Sequence, residues 1–136
     1  MSAASVKPKI LVVTEQTSVL IQLLNRLTRA GCEVTGARNG TDGIKLIQDE
    51  KFDLIVLGVD LPDTSGLELF QQLRENSHLH FTPIVFISNR SNENDWRRGL
   101  ELGAADYIEK PLQGTAFVRR ILSHLKTNPK RRAGHG

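Results

Sequence analysis

Five short apolar runs recur along the chain, and each is followed by a segment with the periodicity of an amphipathic helix. No hairpin signal joins any run to the next. Strands that alternate with helices in this way form a parallel sheet covered by helices on both faces. The five predicted strands span residues 10–13, 32–37, 53–58, 83–88 and 106–109.

The helical segments carry start and stop signals. Thr17 or Ser18 is expected to cap the first helix, whose leucine stripe runs to a stop at Gly31. Ser65 followed by Glu68 has the spacing of a capping box, which predicts the start of the third helix. The second and fourth helices are predicted over residues 39–50 and 92–102, with a stop near Gly103, and the last over 117–125.

For a chain of 136 residues, this pattern predicts an α/β fold, a flavodoxin-like (βα)5 doubly wound parallel sheet with strand order 2-1-3-4-5. Ligands of such sheets bind beyond the carboxyl ends of the strands, where the first and third strands diverge. The residues expected in that crevice follow strands one, three, four and five: Thr14, Glu15, Gly58, Ser88 and Lys110.

Composition is that of an ordinary globular protein, with 39% hydrophobic and 24% charged residues. No run approaches the roughly 20 apolar residues of a membrane span, and the N-terminus lacks the apolar stretch of a signal peptide. We therefore expect a cytoplasmic protein without membrane contact. The single cysteine, Cys32, fits a reducing compartment.

The net charge of +3 is concentrated at the C-terminus. Four of the 18 Lys and Arg residues lie in 126–136 with no acid, which leaves 14 bases against 15 acids elsewhere. We predict that residues 127–136 form a basic disordered tail or linker. Nucleic-acid binding is not expected of the domain itself, and a weak electrostatic contact through the tail is the alternative.

Two kinds of chemistry are disfavoured by the residues expected in the crevice. The loop after the first strand is ThrGluGlnThrSer, which has no glycine to cradle a phosphate and has a carboxylate that would repel one. Hydrolysis by a nucleophilic serine would need a GxSxG turn, which the sequence lacks. His78 and His80 fall in a polar loop, where a solvated pair is the better interpretation than a metal site.

A resemblance to a known family is carried by five stretches that occur in this order: ILVVTEQ, NGTDGI, DLIVLGVDLPDTSGLEL, PIVFIS and GLELGAADYIEKP. Together they resemble the bacterial two-component response-regulator receiver domain. The resemblance covers residues 8–126, nearly the whole chain.

The resemblance implies a phosphorylation site that is degenerate in this chain. The family places two acids after the first strand and an aspartate after the third, which hold Mg²⁺ and accept a phosphoryl group. Here Thr14, Glu15 and Gly58 occupy those positions. Ser88 and Lys110 match the hydroxyl and the lysine that bind the phosphate oxygens. Pro111 also follows the family motif, whereas Asn89 stands where the family usually has a smaller residue.

Glycine has no oxygen that can attack phosphorus, and one remaining carboxylate is a poor basis for binding Mg²⁺. We therefore expect no catalytic residue and no cofactor, with Mg²⁺ binding weak or absent. Glu15 and Asp60 are the remaining metal candidates.

The matching residues also have structural interpretations. Lys110 can form an ion pair with Glu15, and the Ser88 hydroxyl can bond nearby backbone. The resemblance places a switch at Ser88 and Tyr107. The alternative for Tyr107 is a half-buried packing residue with a solvated hydroxyl.

The family binds its partners through the fourth helix, fifth strand and fifth helix. The candidate interaction residues there are Trp96, Arg97, Arg98, Tyr107, Arg119 and Arg120. The alternative is that Trp96 packs with Leu100 and that the arginines form a solvated face.

The sequence therefore predicts a pseudo-receiver that is not an enzyme and signals through protein binding independently of phosphorylation. The expected partners are a histidine kinase or an effector domain, or a second copy of the chain. Two alternatives remain: a response regulator phosphorylated at an unusual residue, namely Asp60, Ser88 or Thr14, and the regulatory domain of a DNA-binding effector.

Overall fold

The computed structural model describes residues 7–75, 79, 81–88, 93–110, 112 and 115–127. The strands are β1 (Lys9–Val13), β2 (Glu33–Ala37), β3 (Leu54–Gly58), β4 (Ile84–Ser88) and β5 (Asp106–Glu109). The helices are α1 (Thr17–Arg29), α2 (Gly40–Asp49), α3 (Gly66–Arg74), α4 (Glu93–Glu101) and α5 (Ala116–Ser123), and a 3-10 turn follows over His124–Thr127.

All five strands are parallel and form one sheet in the order β2-β1-β3-β4-β5. This confirms the predicted flavodoxin-like (βα)5 arrangement. In the register of β1 and β3, Val13 lies beside Leu57, so the chain leaves both strands at the same level of the sheet. The residues after β1 and the last residue of β3 therefore meet at one edge.

The sheet is buried on both faces because its central strands are continuous apolar runs. Successive strand residues point to opposite faces. Ile10 and Val12 pack toward α1 and α5, whereas Leu11 and Val13 pack toward α2 and α3. This two-sided core fixes the carboxyl ends of the strands at which the candidate site lies.

The predicted helix signals are largely confirmed. The Ser65 side chain accepts a hydrogen bond from the N–H of Glu68 at the start of α3. Gly31 after α1 and Gly103 after α4 have φ angles of 97° and 105°, a region that favours glycine.

The predicted cap of α1 is wrong. Gln16 is the N-cap residue and makes no side-chain cap bond, while Thr17 is already the first helical residue. Thr14, two residues upstream, accepts the N–H of Gln16 on its hydroxyl at 3.4 Å. The hydroxyl that bonds the backbone at the start of α1 is thus that of buried Thr14, which precedes the helix, and not that of Thr17 or Ser18.

Among the described residues, no helix is both long enough and apolar enough to cross a membrane.

Candidate functional site

A cavity of about 70 Å³ opens at the carboxyl ends of β1, β3, β4 and β5. It brings together all five crevice residues predicted from the sequence, together with Asp60. Its lining consists of Thr14, Glu15, Gln16, Gly58, Val59, Asp60, Ile87, Ser88 and Lys110. A volume of this size has room for a few water molecules or a small ion.

Gly58 is the last residue of β3; it is buried and lines this cavity. A Cβ built there would lie 3.2 Å from the carbonyl oxygen of Val13 and 3.6 Å from the hydroxyl of Thr14. A side chain at this position would therefore need the neighbouring backbone to give only by a few tenths of an ångström. A small side chain at position 58 could therefore be accommodated.

The loop from β3 to α3 folds back tightly on Gly58. The N–H of Gly66 donates to the carbonyl of Val59 at 2.7 Å, and Asp60 and Ser65 form an antiparallel bridge. A Cβ on Gly66 would overlap the carbonyl oxygen of Gly58. Gly66 was not singled out from the sequence, although the SerGly pair at the start of a capping box is a signal that could have found it.

Thr14 occupies the first acid position of the family, and its hydroxyl is hydrogen-bonded to the backbone of the adjacent turn. Thr14 is 2% exposed, its N–H donates to the carbonyl of Ala37 at 3.0 Å, and its hydroxyl accepts from Gln16. The neighbouring Glu15 is exposed, and its carbonyl accepts from the Arg38 guanidinium at 3.4 Å. Of this pair, only Glu15 offers a carboxylate to the cavity.

Lys110 reaches across the cavity to α1. Its ammonium donates to the amide oxygen of Gln16 at 2.7 Å. The expected ion pair with Glu15 is therefore wrong, because Gln16 presents an acceptor inside the cavity while Glu15 is exposed. Partial burial lowers the pKa of Lys110, and the charge of Asp60 opposes that shift without cancelling it.

Ser88 ends β4 and is 6% exposed. Its carbonyl accepts the N–H of Lys110 at 2.7 Å, so the two candidate phosphate-binding residues are joined through the backbone. Both residues of the family motif thus line the cavity even though Gly58 stands at the acceptor position.

Tyr107 is 5% exposed, which corrects the alternative that it is half-buried with a solvated hydroxyl. Its ring packs 5.9 Å from the ring of Phe86 between centroids, and Gly99 of α4 leaves room beside it. In this structure Tyr107 belongs to the core and does not contribute an exposed ring to the candidate interaction face.

The arginines of the candidate interaction face fall into two groups. Arg97, Arg98 and Arg119 are exposed. Arg120 is exposed as well, but its guanidinium donates two hydrogen bonds of 2.7 and 2.6 Å to the carboxylate of Asp106 in β5. Arg120 is therefore held against the sheet, which the sequence did not reveal.

Asp106 is the centre of a small charged cluster. Besides Arg120, the ring nitrogen Nε2 of His124 lies 3.0 Å from its carboxylate, and the Tyr107 N–H donates to it at 2.8 Å. Burial would raise the pKa of Asp106, but these hydrogen bonds outweigh it and lower the pKa to about 2. The cluster ties α5 to the edge of the sheet.

A second contact missed by the sequence analysis links the β3–α3 loop to α2. The carboxylate of Asp63 accepts the N–H groups of Gly40 and Thr41 at 2.8 and 2.9 Å. These bonds lower the pKa of Asp63 to about 2. The N-terminus of a helix favours a negatively charged group such as this carboxylate. Asp63 lies at least 22 residues from Gly40 and Thr41, so no local sequence spacing predicts the contact.

Several predictions concern residues that the structure does not describe. They are Asn89, Pro111, the loop histidines His78 and His80, the side chain of Trp96 and the tail beyond residue 127.

The remaining metal candidates, Glu15 and Asp60, both line the cavity. Across the described part of the chain, no three His, Cys, Asp or Glu side chains are grouped so as to hold a metal ion. Lys110 places a positive charge near Asp60. Two exposed carboxylates with an ammonium beside them are a weak site for Mg²⁺, which favours several anionic ligands.

Comparison with known proteins identifies the family of the chain. The family model of the response regulator receiver domain matches residues 10–122. The chain therefore belongs to the response regulator receiver domain family, the signalling module of two-component systems.

Curated relatives include the transcriptional regulatory protein AfsQ1 of Streptomyces coelicolor, 37% identical over 88% of this chain and 52% of the relative. The alkaline phosphatase synthesis transcriptional regulatory protein PhoP of Bacillus subtilis is 38% identical over 87% of this chain and 48% of the relative. The chain thus spans about half the length of these relatives.

Solved structures agree with the fold. A CheY-like receiver domain protein from Methanospirillum hungatei superposes with a TM-score of 0.84 at 25% identity, covering 92% of this chain and 98% of that one. The non-phosphorylated HemR receiver domain from Leptospira biflexa gives 0.80 at 29% identity, covering 88% and 94%.

Proposed function

We propose that this chain is a pseudo-receiver: a receiver domain that accepts no phosphoryl group and signals by binding another protein. The single observation that carries the proposal is Gly58 at the end of β3, where phosphoryl transfer needs a nucleophilic oxygen. The chain is then a binding module and not an enzyme.

The rest of the cavity supports this proposal. The Lys110 ammonium already has an acceptor in Gln16, so its position does not depend on an incoming phosphate. Thr14 is engaged in the turn before α1, where the family has an acid. With one acid position neutral and the other held by exposed Glu15, Mg²⁺ is expected to bind weakly or not at all.

The proposed binding surface is the exposed basic part of α4 and α5. Arg97, Arg98 and Arg119 are exposed there, with Leu100 38% exposed beside the α4 arginines. Arginine next to an apolar side chain is a composition enriched in protein interfaces. The partner is expected to present acidic groups; a histidine kinase, an effector domain or a second copy of the chain are the candidates.

Phosphorylation is tested by incubating the chain with Mg²⁺ and acetyl phosphate and measuring the intact mass. We expect no gain of a phosphoryl group. A gain would contradict the proposal, and peptide mapping would then decide among Asp60, Ser88 and Thr14 as the acceptor. Addition of Mg²⁺ and beryllofluoride should likewise leave the amide NMR signals of Glu15, Gly58 and Ser88 in place.

Binding is tested by a pull-down with wild type and a Trp96→Ala, Arg98→Ala double variant. We expect the double variant to lose the partner proteins that wild type retains. Arg29→Ala is the matched control, because it removes an exposed arginine from the last turn of α1, which is not part of the proposed surface on α4 and α5. Retained binding in the double variant would move the interface to another face.

A second candidate function is the regulatory domain of a DNA-binding effector. The relatives named above are transcriptional regulatory proteins about twice the length of this chain. Residues 127–136 carry Lys130, Arg131 and Arg132, a composition suited to phosphate contacts. DNA binding that disappears on deletion of residues 127–136 would support this role.

A further inference from the structure

We propose that two glutamines of the α1 region, Gln16 and Gln22, act as a clamp that holds Lys110 and Leu112, which follow β5, against α1 without a phosphoryl group. The inference rests on the proposed function, because it explains how a receiver domain that is never phosphorylated keeps its signalling face in one conformation. Each glutamine makes a long-range hydrogen bond of 2.7 Å to one of these two residues.

The first contact lies inside the cavity. Gln16 precedes α1 as its N-cap, and its amide oxygen accepts the Lys110 ammonium, 94 residues further along the chain. Both side chains are partly buried, so water competes less for the bond than it would at the surface. The backbone of Gln16 is itself positioned by the hydroxyl of buried Thr14.

The second contact lies one turn into α1. The Gln22 side-chain amide donates to the carbonyl oxygen of Leu112, 90 residues further along the chain. Leu112 is 7% exposed and packs into the core on the face of the sheet that α1 covers. Its backbone is thus bonded to the same helix against which its side chain packs.

The two contacts bracket the start of the loop. Lys110 follows the last residue of β5, and the loop leads into α5, which carries Arg119. Bonding Lys110 and Leu112 to α1 therefore restrains the two described residues nearest to the end of β5. The Arg120–Asp106 contact then holds α5 to β5 from the other side.

The chemistry of an amide suits a permanent clamp. A neutral oxygen accepts from Lys110 without changing charge, and a neutral N–H group donates to a backbone carbonyl. Neither bond depends on a transferable group or on a bound ion. The face is then preset and does not respond to phosphorylation.

Amide hydrogen exchange of the full chain tests the clamp. In a Gln16→Ala, Gln22→Ala double variant we expect protection of the amides between residues 110 and 118 to fall by roughly thirtyfold, since two hydrogen bonds of about 1 kcal/mol each sum to about 2 kcal/mol and 1.4 kcal/mol is a factor of ten. Protection of β1 and β3 should stay unchanged. Gln48→Ala, which removes an exposed glutamine from α2, should change neither region.

A conservative variant separates the clamp from simple loss of packing. Gln16→Glu keeps an acceptor at the same reach, so protection of residues 110–118 should be retained and the pKa of Lys110 should rise. Unchanged protection in the double alanine variant would overturn the proposal. An equal fall across the whole sheet would also overturn it, because the glutamines would then act on global stability alone.

The clamp and the proposed function fail in different ways. If wild type gains a phosphoryl group from acetyl phosphate, the proposed function is lost whatever the exchange data show. If wild type stays unmodified but the double alanine variant exchanges like wild type, only the clamp is lost. Protection of residues 110–118 that rises on addition of Mg²⁺ and beryllofluoride to wild type would overturn both.

Discussion

The α carbon of Gly66 lies against the carbonyl oxygen of Gly58, so that any side chain on Gly66 would overlap that oxygen. The obstacle is backbone and not the far end of a flexible side chain, so it cannot simply rotate away. This contact fixes the turn between β3 and α3 and with it the backbone that lines the candidate site.

Gly66→Ala is expected to lower the free energy of unfolding by roughly 2–4 kcal/mol, because the turn must open to admit the methyl group. Urea denaturation of the full chain measures the change. Gly58→Ala is the matched control in the same turn: its Cβ would lie 3.2 Å from the Val13 carbonyl and needs only a small shift. A Gly66→Ala variant no less stable than Gly58→Ala would show that the turn is not the constraint described.

The bond from Asp63 to the start of α2 should make stability depend on pH. The pKa of Asp63 is lowered from 3.8 to about 2 in the folded chain, so the folded state binds fewer protons than the unfolded state between those values. The contribution of Asp63 to the free energy of unfolding is present in full above about pH 4 and is lost as pH falls through about 2.

Asp63→Asn should therefore be less stable than wild type at pH 6, and the difference should shrink as pH falls from about 4 toward 2. Thermal unfolding of both proteins across this range measures it. Asp49→Asn is a suitable control, since it removes an exposed carboxylate from the last residue of α2. A difference that does not change with pH would argue against the charged contact.

Lys110 should also make stability rise with pH, but in the alkaline range. Its pKa in the folded chain lies below 10.5, so the unfolded state binds more protons as pH approaches that value. The unfavourable burial of its charge is relieved as pH rises toward 10.5. Relative to Lys110→Met, wild type should gain stability as pH rises toward 10.5, measured by urea denaturation. A constant difference would mean that Lys110 is not desolvated.

How much of this could be foreseen from the sequence depends on the range of each contact. The strand order followed from apolar runs alternating with helical segments, and the cap by Ser65 followed from the spacing to Glu68. The crevice residues were placed correctly because parallel strands end at one edge of the sheet.

The side-chain partners could not be foreseen. Lys110 was expected to meet Glu15 because unlike charges attract, yet its ammonium donates to the amide oxygen of Gln16, while Glu15 is the more exposed of the two. Adjacent residues of a turn, such as Glu15 and Gln16, direct their side chains differently. A turn has no repeating pattern in the sequence from which these directions can be predicted. The bond from Arg120 to Asp106 was missed for the same reason, since Asp106 lies 14 residues away on another element.

The two neighbouring arginines of α5 should therefore behave differently. Arg120→Ala removes both hydrogen bonds to Asp106, whose side chain is only 17% exposed, and should lower the free energy of unfolding by roughly 1–2 kcal/mol. It should also raise the pKa of Asp106 from about 2 toward its ordinary value, measured by NMR titration.

Arg119→Ala removes the exposed arginine next to Arg120. It should leave the free energy of unfolding and the Asp106 pKa unchanged and should weaken partner binding instead. Equal loss of stability in the two variants would contradict this division of roles.

Restoring a carboxylate at the end of β3 should restore phosphoryl transfer. In Gly58→Asp the introduced side chain would enter the cavity beside Lys110, with a Cβ contact of 3.2 Å that the Val13 carbonyl must accommodate. Together with Glu15 it would give Mg²⁺ two anionic ligands. Its oxygen would form a bond to phosphorus as the bond from phosphorus to the acetate oxygen breaks and acetate leaves.

We expect Gly58→Asp to gain one phosphoryl group from acetyl phosphate in the presence of Mg²⁺, measured as intact mass, and to gain none without the metal. Gly58→Asn is the matched control, because it has the same size and geometry but no carboxylate to attack phosphorus. A folded Gly58→Asp that stays unmodified would mean that the lost acid at Thr14 is a second, independent obstacle. We would then expect the double variant Thr14→Asp, Gly58→Asp to become phosphorylated. A folded double variant that stays unmodified would contradict the proposal that the missing acids at positions 14 and 58 prevent phosphoryl transfer.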